Sequence, residues 1–292
     1  MGQAAGQSIH GIETDPLMLA RANAMLRREI AKRQRVEKLL IERNKQLRDD
    51  LRMAAQFQRA ILPVPPVLPH LSTAIRYWPF REVSGDIYHL HLNREGELGV
   101  LLGDATGHGL SAAFMTMLLQ SALDGLRRDL PPHQMLARLN AQLCVHPTGC
   151  AVTAAYFRVG RDGTLAVSHA GHPSILVLPA QGPIRGFAEG GCALGQFAEE
   201  PVPYVTETCR LAPGDTVVAY TDGVPEARDR AGGSFGPQRI VQTLEANRGT
   251  DPETLLDRLL GEVQRHARGG RGDDLTLLAC RYGDMGVAPP AA

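Results

Sequence analysis

The sequence predicts an α/β fold in which sheets carry helices on their outer faces, preceded by one long helix. Three observations carry that expectation. Between Asp15-Pro16 and Pro63 no glycine or proline interrupts a stretch dominated by Ala, Leu, Arg, Glu, Lys and Gln. Beyond a proline cluster at 63–69 the apolar pattern changes period, from helical spacing to short alternating runs. Two pairs of helical runs then sit among many such strand-like runs, which is the pattern of sheets covered by helices. With 292 residues and 43 % apolar composition, the chain can form one large domain with a full core plus an accessory segment.

Taken in order, residues 1–14 are Gly/Ala/Gln-rich and read as disordered. Asp15-Pro16 is an N-cap followed by proline at the first helical position. The segment 15–62 is expected to be helical and to dimerise as a coiled coil. One row spaced by seven runs Leu19, Leu26, Arg33, Leu40, Leu47, Ala54, Ile61, and a poorer companion runs Ala22, Ile30, Val36, Asn44, Leu51, Phe57. A helix of that length, ~70 Å at 1.5 Å per residue, is longer than the domain it would otherwise lie on. Eleven basic against five acidic residues fall between Arg21 and Arg52. No Trp or Phe precedes Phe57 to make that helix a membrane-surface binder. The prolines at 63–69 end the helix and form a stiff connector. The remaining domain spans 63–282. Strands are expected at 72–77, 87–92, 99–102, 152–159, 165–169, 175–178, 202–209, 216–219 and 275–281, and helices at 110–130, 132–144, 238–247 and 252–267. The tail 283–292 reads as loose.

Composition narrows the function. Thirty-one basic residues balance thirty-one acidic ones, which argues against a nucleic-acid binder. Five scattered cysteines without CxxC spacing fit thiols in a reducing cytoplasm. No apolar run approaches a membrane span, so a cytoplasmic protein is expected.

Four acidic stretches carry the chemistry: Ser84-Gly85-Asp86, Gly103-Asp104-Ala105-Thr106-Gly107-His108-Gly109, Tyr220-Thr221-Asp222-Gly223 and Gly272-Asp273-Asp274-Leu275-Thr276. Each places aspartate beside glycine, and all but the first directly abut an apolar strand-like run. Aspartates gathered at strand ends form an oxygen-rich cage for hard divalent cations. Two such ions ~4 Å apart can share a hydroxide of lowered pKa and absorb charge on a transferring phosphoryl group, with no Ser, Cys or His nucleophile needed.

These stretches, together with Gln58-Arg-Ala-Ile-Leu-Pro63, Arg81-Glu-Val-Ser-Gly-Asp86, His169-Ala-Gly-His-Pro173 and the run 211–227, occur in an order that resembles the PPM (type 2C) metal-dependent Ser/Thr protein phosphatases, in their bacterial SpoIIE-like branch. The resemblance covers about residues 54–282. It implies an αββα sandwich of two packed antiparallel sheets flanked by helices, with two Mn²⁺ or Mg²⁺ ions at its centre. It further implies that Asp104 bridges both ions, that the Ala105 carbonyl binds one, that Asp222 and Asp273 complete the other shell, and that Asp86 ligates directly or through water. The implied substrate is a phosphorylated partner protein, a STAS-type anti-sigma-factor antagonist; a catalytically weak or inactive dimeric scaffold is the alternative. His108 reads either as general acid toward the leaving oxygen or as a cap of the helix that follows. The pattern departs from the family at Ser84 and at His89, where a second Asp is usual. His89 and His91 share a strand face and read as packing or surface histidines rather than ligands. His172 reads as structural, Asp215 as a turn former, Glu226 as more remote, and Asp274 as either a ligand or a partner of Asp273.

Overall fold

The computed structural model describes residues 16–107, 109–145, 149–187, 190–198, 203–267 and 272–283. The chain divides into two compact units, one reaching to Asp50 and one starting at Leu51.

The first unit is helical. Helix α1 (Pro16–Ala60) starts in it and crosses its boundary. Along it Leu19, Leu26, Leu40 and Leu47 are each more than half exposed. Asn44, in the companion row, donates to the Leu40 carbonyl of its own helix at 3.0 Å.

In the second unit, two five-stranded antiparallel sheets face each other. One has the order β1-β10-β9-β6-β7 and comprises β1 (Leu71–Trp78), β10 (Leu275–Tyr282), β9 (Thr216–Tyr220), β6 (Leu176–Leu178) and β7 (Arg185–Gly186). The other has the order β2-β3-β4-β5-β8 and comprises β2 (Asp86–Leu92), β3 (Leu98–Ala105), β4 (Val152–Val159), β5 (Thr164–Ala170) and β8 (Glu207–Arg210). Helices α2 (Leu110–Gly125) and α3 (Pro132–Cys144) cover the second sheet, and α5 (Gly236–Ala246) and α6 (Pro252–His266) cover the first. The short α4 (Gly223–Glu226) follows β9. This is the expected αββα sandwich.

Strand periodicity sorts every site residue. Leu98, Val100 and Leu102 of β3 enter the core between the sheets, while Leu101 and Ala105 pack beneath α2 and α3. In β10, Leu278 and Cys280 face the inter-sheet core, whereas Leu275, Leu277 and Ala279 face α5 and α6. The interior strands are therefore apolar on both faces over most of their length, with the acidic residues at their ends.

Three expected boundaries shift. The helix expected over 110–130 ends at Gly125, and the next residues form a loop closed by an Arg127–Asp129 pair at 2.7 Å before Pro131-Pro132. The strand expected over 202–209 is seen as Glu207–Arg210; residues 201–202 lie outside the described residues, as do 1–14 and the tail from 284. The last turns of α1 belong to the sandwich: Ala55 packs with Val83 and Ala113, flanked by Leu51 and Ala54.

Candidate metal centre

The acidic residues meet where β2 begins, β3 and β9 end, and β10 begins. Asp86 and Asp104 are register partners across the β2–β3 ladder, so their side chains leave the same face, toward the opposing sheet. Asp86 is buried, and its Oδ2 accepts hydrogen bonds from Thr221 Oγ1 at 2.8 Å and Thr276 Oγ1 at 2.5 Å, both from the other sheet. Thr221 and Thr276 are tied together as well, Thr276 N–H donating to Thr221 Oγ1 at 3.0 Å. Two hydroxyls thus hold a carboxylate between the layers.

Glycines set how closely the strand ends approach. A Cβ on Gly85 would lie 3.0 Å from both Asp104 Oδ1 and the Ala105 carbonyl oxygen. A Cβ on Gly223 would lie 1.9 Å from the Asp274 carbonyl oxygen, so only glycine can follow Asp222 there. Asp274 is not presented as a ligand: its Oδ1 accepts from Phe80 N–H at 2.6 Å and its Oδ2 from Gly85 N–H at 2.8 Å. It fastens the segment 80–85 to the start of β10. Beside it a cavity of about 240 Å³ is lined by Arg81, Val83, Gly107, Gly109 and Asp273, among others.

Electrostatics mark the cluster as unbalanced. Burial, then the charges of Asp222, Asp273, Asp274 and Glu226, push the Asp104 carboxyl up to about 8. Burial, then Asp273 and Glu226, raise Asp222 to about 6. Asp86 is raised well above the usual carboxylate range, by burial first and Asp104 second, against the two threonine hydrogen bonds. Among the described residues, no group of three or more His, Cys, Asp or Glu side chains is arranged to hold a cation as it stands. The donor set nonetheless fits hard cations. It consists of oxygen alone, and Gly85 leaves a cradle bordered by Asp104 Oδ1 and the Ala105 carbonyl, which a side chain would fill.

The parity of β2 separates the histidines from this centre. His89 stands three residues after Asp86, an odd offset, and so lies on the opposite face. Its Nδ1 meets Gln120 Nε2 of α2 at 2.9 Å, and His91 Nε2 meets the Tyr156 hydroxyl at 3.1 Å. Both are buried packing groups, as the strand pattern favoured. His172 is also buried and meets Thr153 Oγ1 at 3.0 Å, one strand away from Asp104. Asp215 closes a turn, accepting from Ala180 N–H at 2.8 Å and Ala212 N–H at 2.9 Å. His108 lies outside the described residues.

Sequence reasoning assigned no role to Thr221, Thr276 or Gln58, although all three lie within the quoted motifs. The threonines' position beside the aspartates is the signal that could have found theirs. Gln58, near the end of α1, donates to the Ser84 carbonyl at 2.7 Å and to Thr116 Oγ1 at 2.9 Å, and accepts from Ser84 N–H at 3.0 Å. A lone buried amide on a helix carries no periodic signal.

Comparison with known proteins agrees with the fold. The family described as Stage II sporulation protein E (SpoIIE) matches residues 94–283. Protein IcfG of Synechocystis sp. is 27 % identical over 262 residues, covering 79 % of this chain and 41 % of that protein, so the chain spans well under half of this relative. Phosphoserine phosphatase RsbU of Bacillus subtilis is 22 % identical over 241 residues, covering 81 % of this chain and 71 % of RsbU. The solved SiaA-PP2C domain of Pseudomonas aeruginosa superposes with a TM-score of 0.73 at 24 % identity, covering 82 % of this chain and 98 % of that one. With the family match taking in most of the sandwich and both sheets sharing the PP2C architecture, the chain belongs to the SpoIIE family of PP2C-like phosphatase domains.

Proposed function

We propose that the chain is a metal-dependent phosphatase that removes phosphate from serine or threonine of a partner protein. The observation that carries this reading is the gathering of Asp104, Asp222 and Asp273 around the anchored, buried Asp86 at the open end of the sandwich. Asp104 with the Ala105 carbonyl, Asp222 and Asp273 would hold two divalent cations, Mg²⁺ or Mn²⁺, and Asp86 would contribute through Oδ1, since Oδ2 is taken by the threonines. Bound there, the cations supply a water of lowered pKa and neutralise phosphoryl oxygens.

The protein's own residues do the positioning. Asp274 fixes the 80–85 segment, and with it Gly85 and Asp86. Arg81, on the wall of the cavity beside Asp273, is placed to meet a phosphate with its guanidinium fork. His108 would donate the proton to the leaving serine or threonine oxygen.

RsbU is described as a phosphoserine phosphatase, which supports a phosphorylated protein as substrate; a STAS-type anti-sigma-factor antagonist is the class that the motifs' family resemblance implies. Dimerisation through residues 15–62 is supported by the exposed leucines of α1. A cytoplasmic setting accords with five cysteines that form no disulfide; no helix among the described residues is long and apolar enough to cross a membrane. The alternative of an inactive scaffold rests on His89, a side chain that faces α2 rather than Asp86.

The test is hydrolysis of p-nitrophenyl phosphate with and without Mn²⁺, alongside Asp104→Asn. Metal-dependent turnover lost in the variant supports the enzyme; turnover retained in it sinks the site.

A further inference from the structure

At the end of β2 remote from Asp86, the β2–β3 hairpin and the loop between α2 and α3 enclose a cavity of about 610 Å³. Its lining is Leu92, Asn93 and Arg94 from the hairpin and Arg127, Arg128 and Asp129 from the loop. Three arginines therefore line the recess against one aspartate. Arg127 engages that carboxylate with both arms of its fork, Nη2 to Oδ2 at 2.7 Å and Nε to Oδ1 at 3.1 Å. Arg94 also acts on that carboxylate through its charge, while among the described residues no direct ion pair holds Arg94 or Arg128.

Both walls are fixed from beneath by buried or half-buried groups. Arg158 Nη1 donates to the carbonyls of Asp129 at 3.0 Å and Leu130 at 3.4 Å. The His91 ring, held by Tyr156, also hydrogen-bonds the backbone of Arg128. On the hairpin, Asn93 accepts from Glu97 N–H at 2.8 Å and donates to its Oε2 at 2.8 Å. Glu97 in turn pairs with Arg158 at 3.6 Å, which links the two walls. This support sets Arg94 on one wall and Arg128 on the other around the recess.

We propose that this recess binds a small phosphate-bearing ligand, at a site separate from the acidic centre and independent of its reading. Three arginines against one aspartate in the lining favour an anion. Planar guanidinium forks match phosphate oxygens bidentately. The volume falls in the range of ~300–1,000 Å³ typical of small-molecule sites. A membrane surface would need a flat patch rather than a walled recess.

The experiment titrates inorganic pyrophosphate into the full chain in the presence of EDTA, followed by calorimetry, so that no cation recruits the anion to the acidic centre. Saturable binding at one site is expected. It should weaken by about tenfold or more in Arg94→Ala/Arg128→Ala, whose side chains are exposed and whose removal leaves the core intact, and persist in Asp104→Asn. Absence of saturable binding would overturn the proposal. So would binding that survives the double arginine variant, or that is lost with Asp104→Asn. Association with phosphatidylglycerol vesicles in place of pyrophosphate would overturn it in favour of a lipid surface.

Discussion

Thr276, at the start of an interior strand of one sheet, donates its hydroxyl to the buried carboxyl group of Asp86 at the start of the other sheet's edge strand. With Thr221 on the same oxygen, it makes Asp86 a tie between layers as well as a member of the acidic cluster. Thr276→Val preserves shape and removes one donor from a buried carboxyl group, at a cost of about 1–3 kcal/mol. The expected outcome is a lower denaturation midpoint together with metal affinity weakened about 10–100-fold. A variant with unchanged metal titration would confine Thr276 to a structural part.

Gln58 couples the end of α1 to the first acidic motif through both backbone groups of Ser84. Gln58→Ala leaves a buried N–H and a buried carbonyl without their partner and frees Gly85 to shift. Turnover should fall about tenfold or more, with the metal requirement moved to higher concentration. Gln58→Glu, which can still accept from Ser84 N–H but cannot donate to its carbonyl, should fall between the two. Equal metal titrations in all three proteins would refute this positioning role.

Asp104→Asn removes the carboxylate on which four neighbouring acids act. In metal-free protein the repulsion is relieved, so the variant is expected to melt at a higher temperature than the wild type. Added Mn²⁺ should raise the melting temperature of the wild type and leave the variant unchanged. A variant that melts lower without metal would contradict the electrostatic account.

Acid should destabilise the fold through its buried histidines. Burial, with neighbouring charge as the second cause, holds His91 down to about 4 and His172 to about 3. In the unfolded chain both titrate near 6.5, so from about 6.5 down to about 4 the unfolded state binds protons that the folded state excludes, and stability falls with pH. The raised carboxylates act in the opposite sense, since their folded-state protons are lost as pH rises. Comparing wild type with His91→Gln cancels the carboxylate contribution. The difference in unfolding free energy should change by about 1.4 kcal/mol per pH unit across that window. Parallel profiles would refute it.

Truncation to a chain starting at Leu51 keeps Ala55 and Gln58 in the sandwich while removing the exposed leucine row. The full chain should sediment as a dimer and the truncated one as a monomer with its domain folded. Equal masses relative to chain length would refute coiled-coil dimerisation.

The acidic motifs were legible in the sequence because glycine beside aspartate at the end of an apolar run is a local signature. The long helix was legible because its uninterrupted composition is local too. The exclusion of His89 was nearly so, since an odd offset from Asp86 along one strand settles its face once β2 is assigned. Asp274 was ambiguous, because adjacent aspartates look alike until the N–H groups of Phe80 and Gly85 claim both oxygens of one of them.

By itself the sequence determined most of the elements, the covering of sheets by helices and the oxygen-only character of the acidic motifs, because periodicity and turn chemistry act over a few residues; the αββα sandwich was implied by the motifs' resemblance to a family. Only the tertiary structure decided that Thr221 and Thr276 hold Asp86 across 135 and 190 positions of chain, that Gln58 holds Ser84, and that Arg94 and Arg128 share a recess. Those contacts join distant segments through single hydrogen bonds and charges, and nothing in the local pattern of either partner specifies the other.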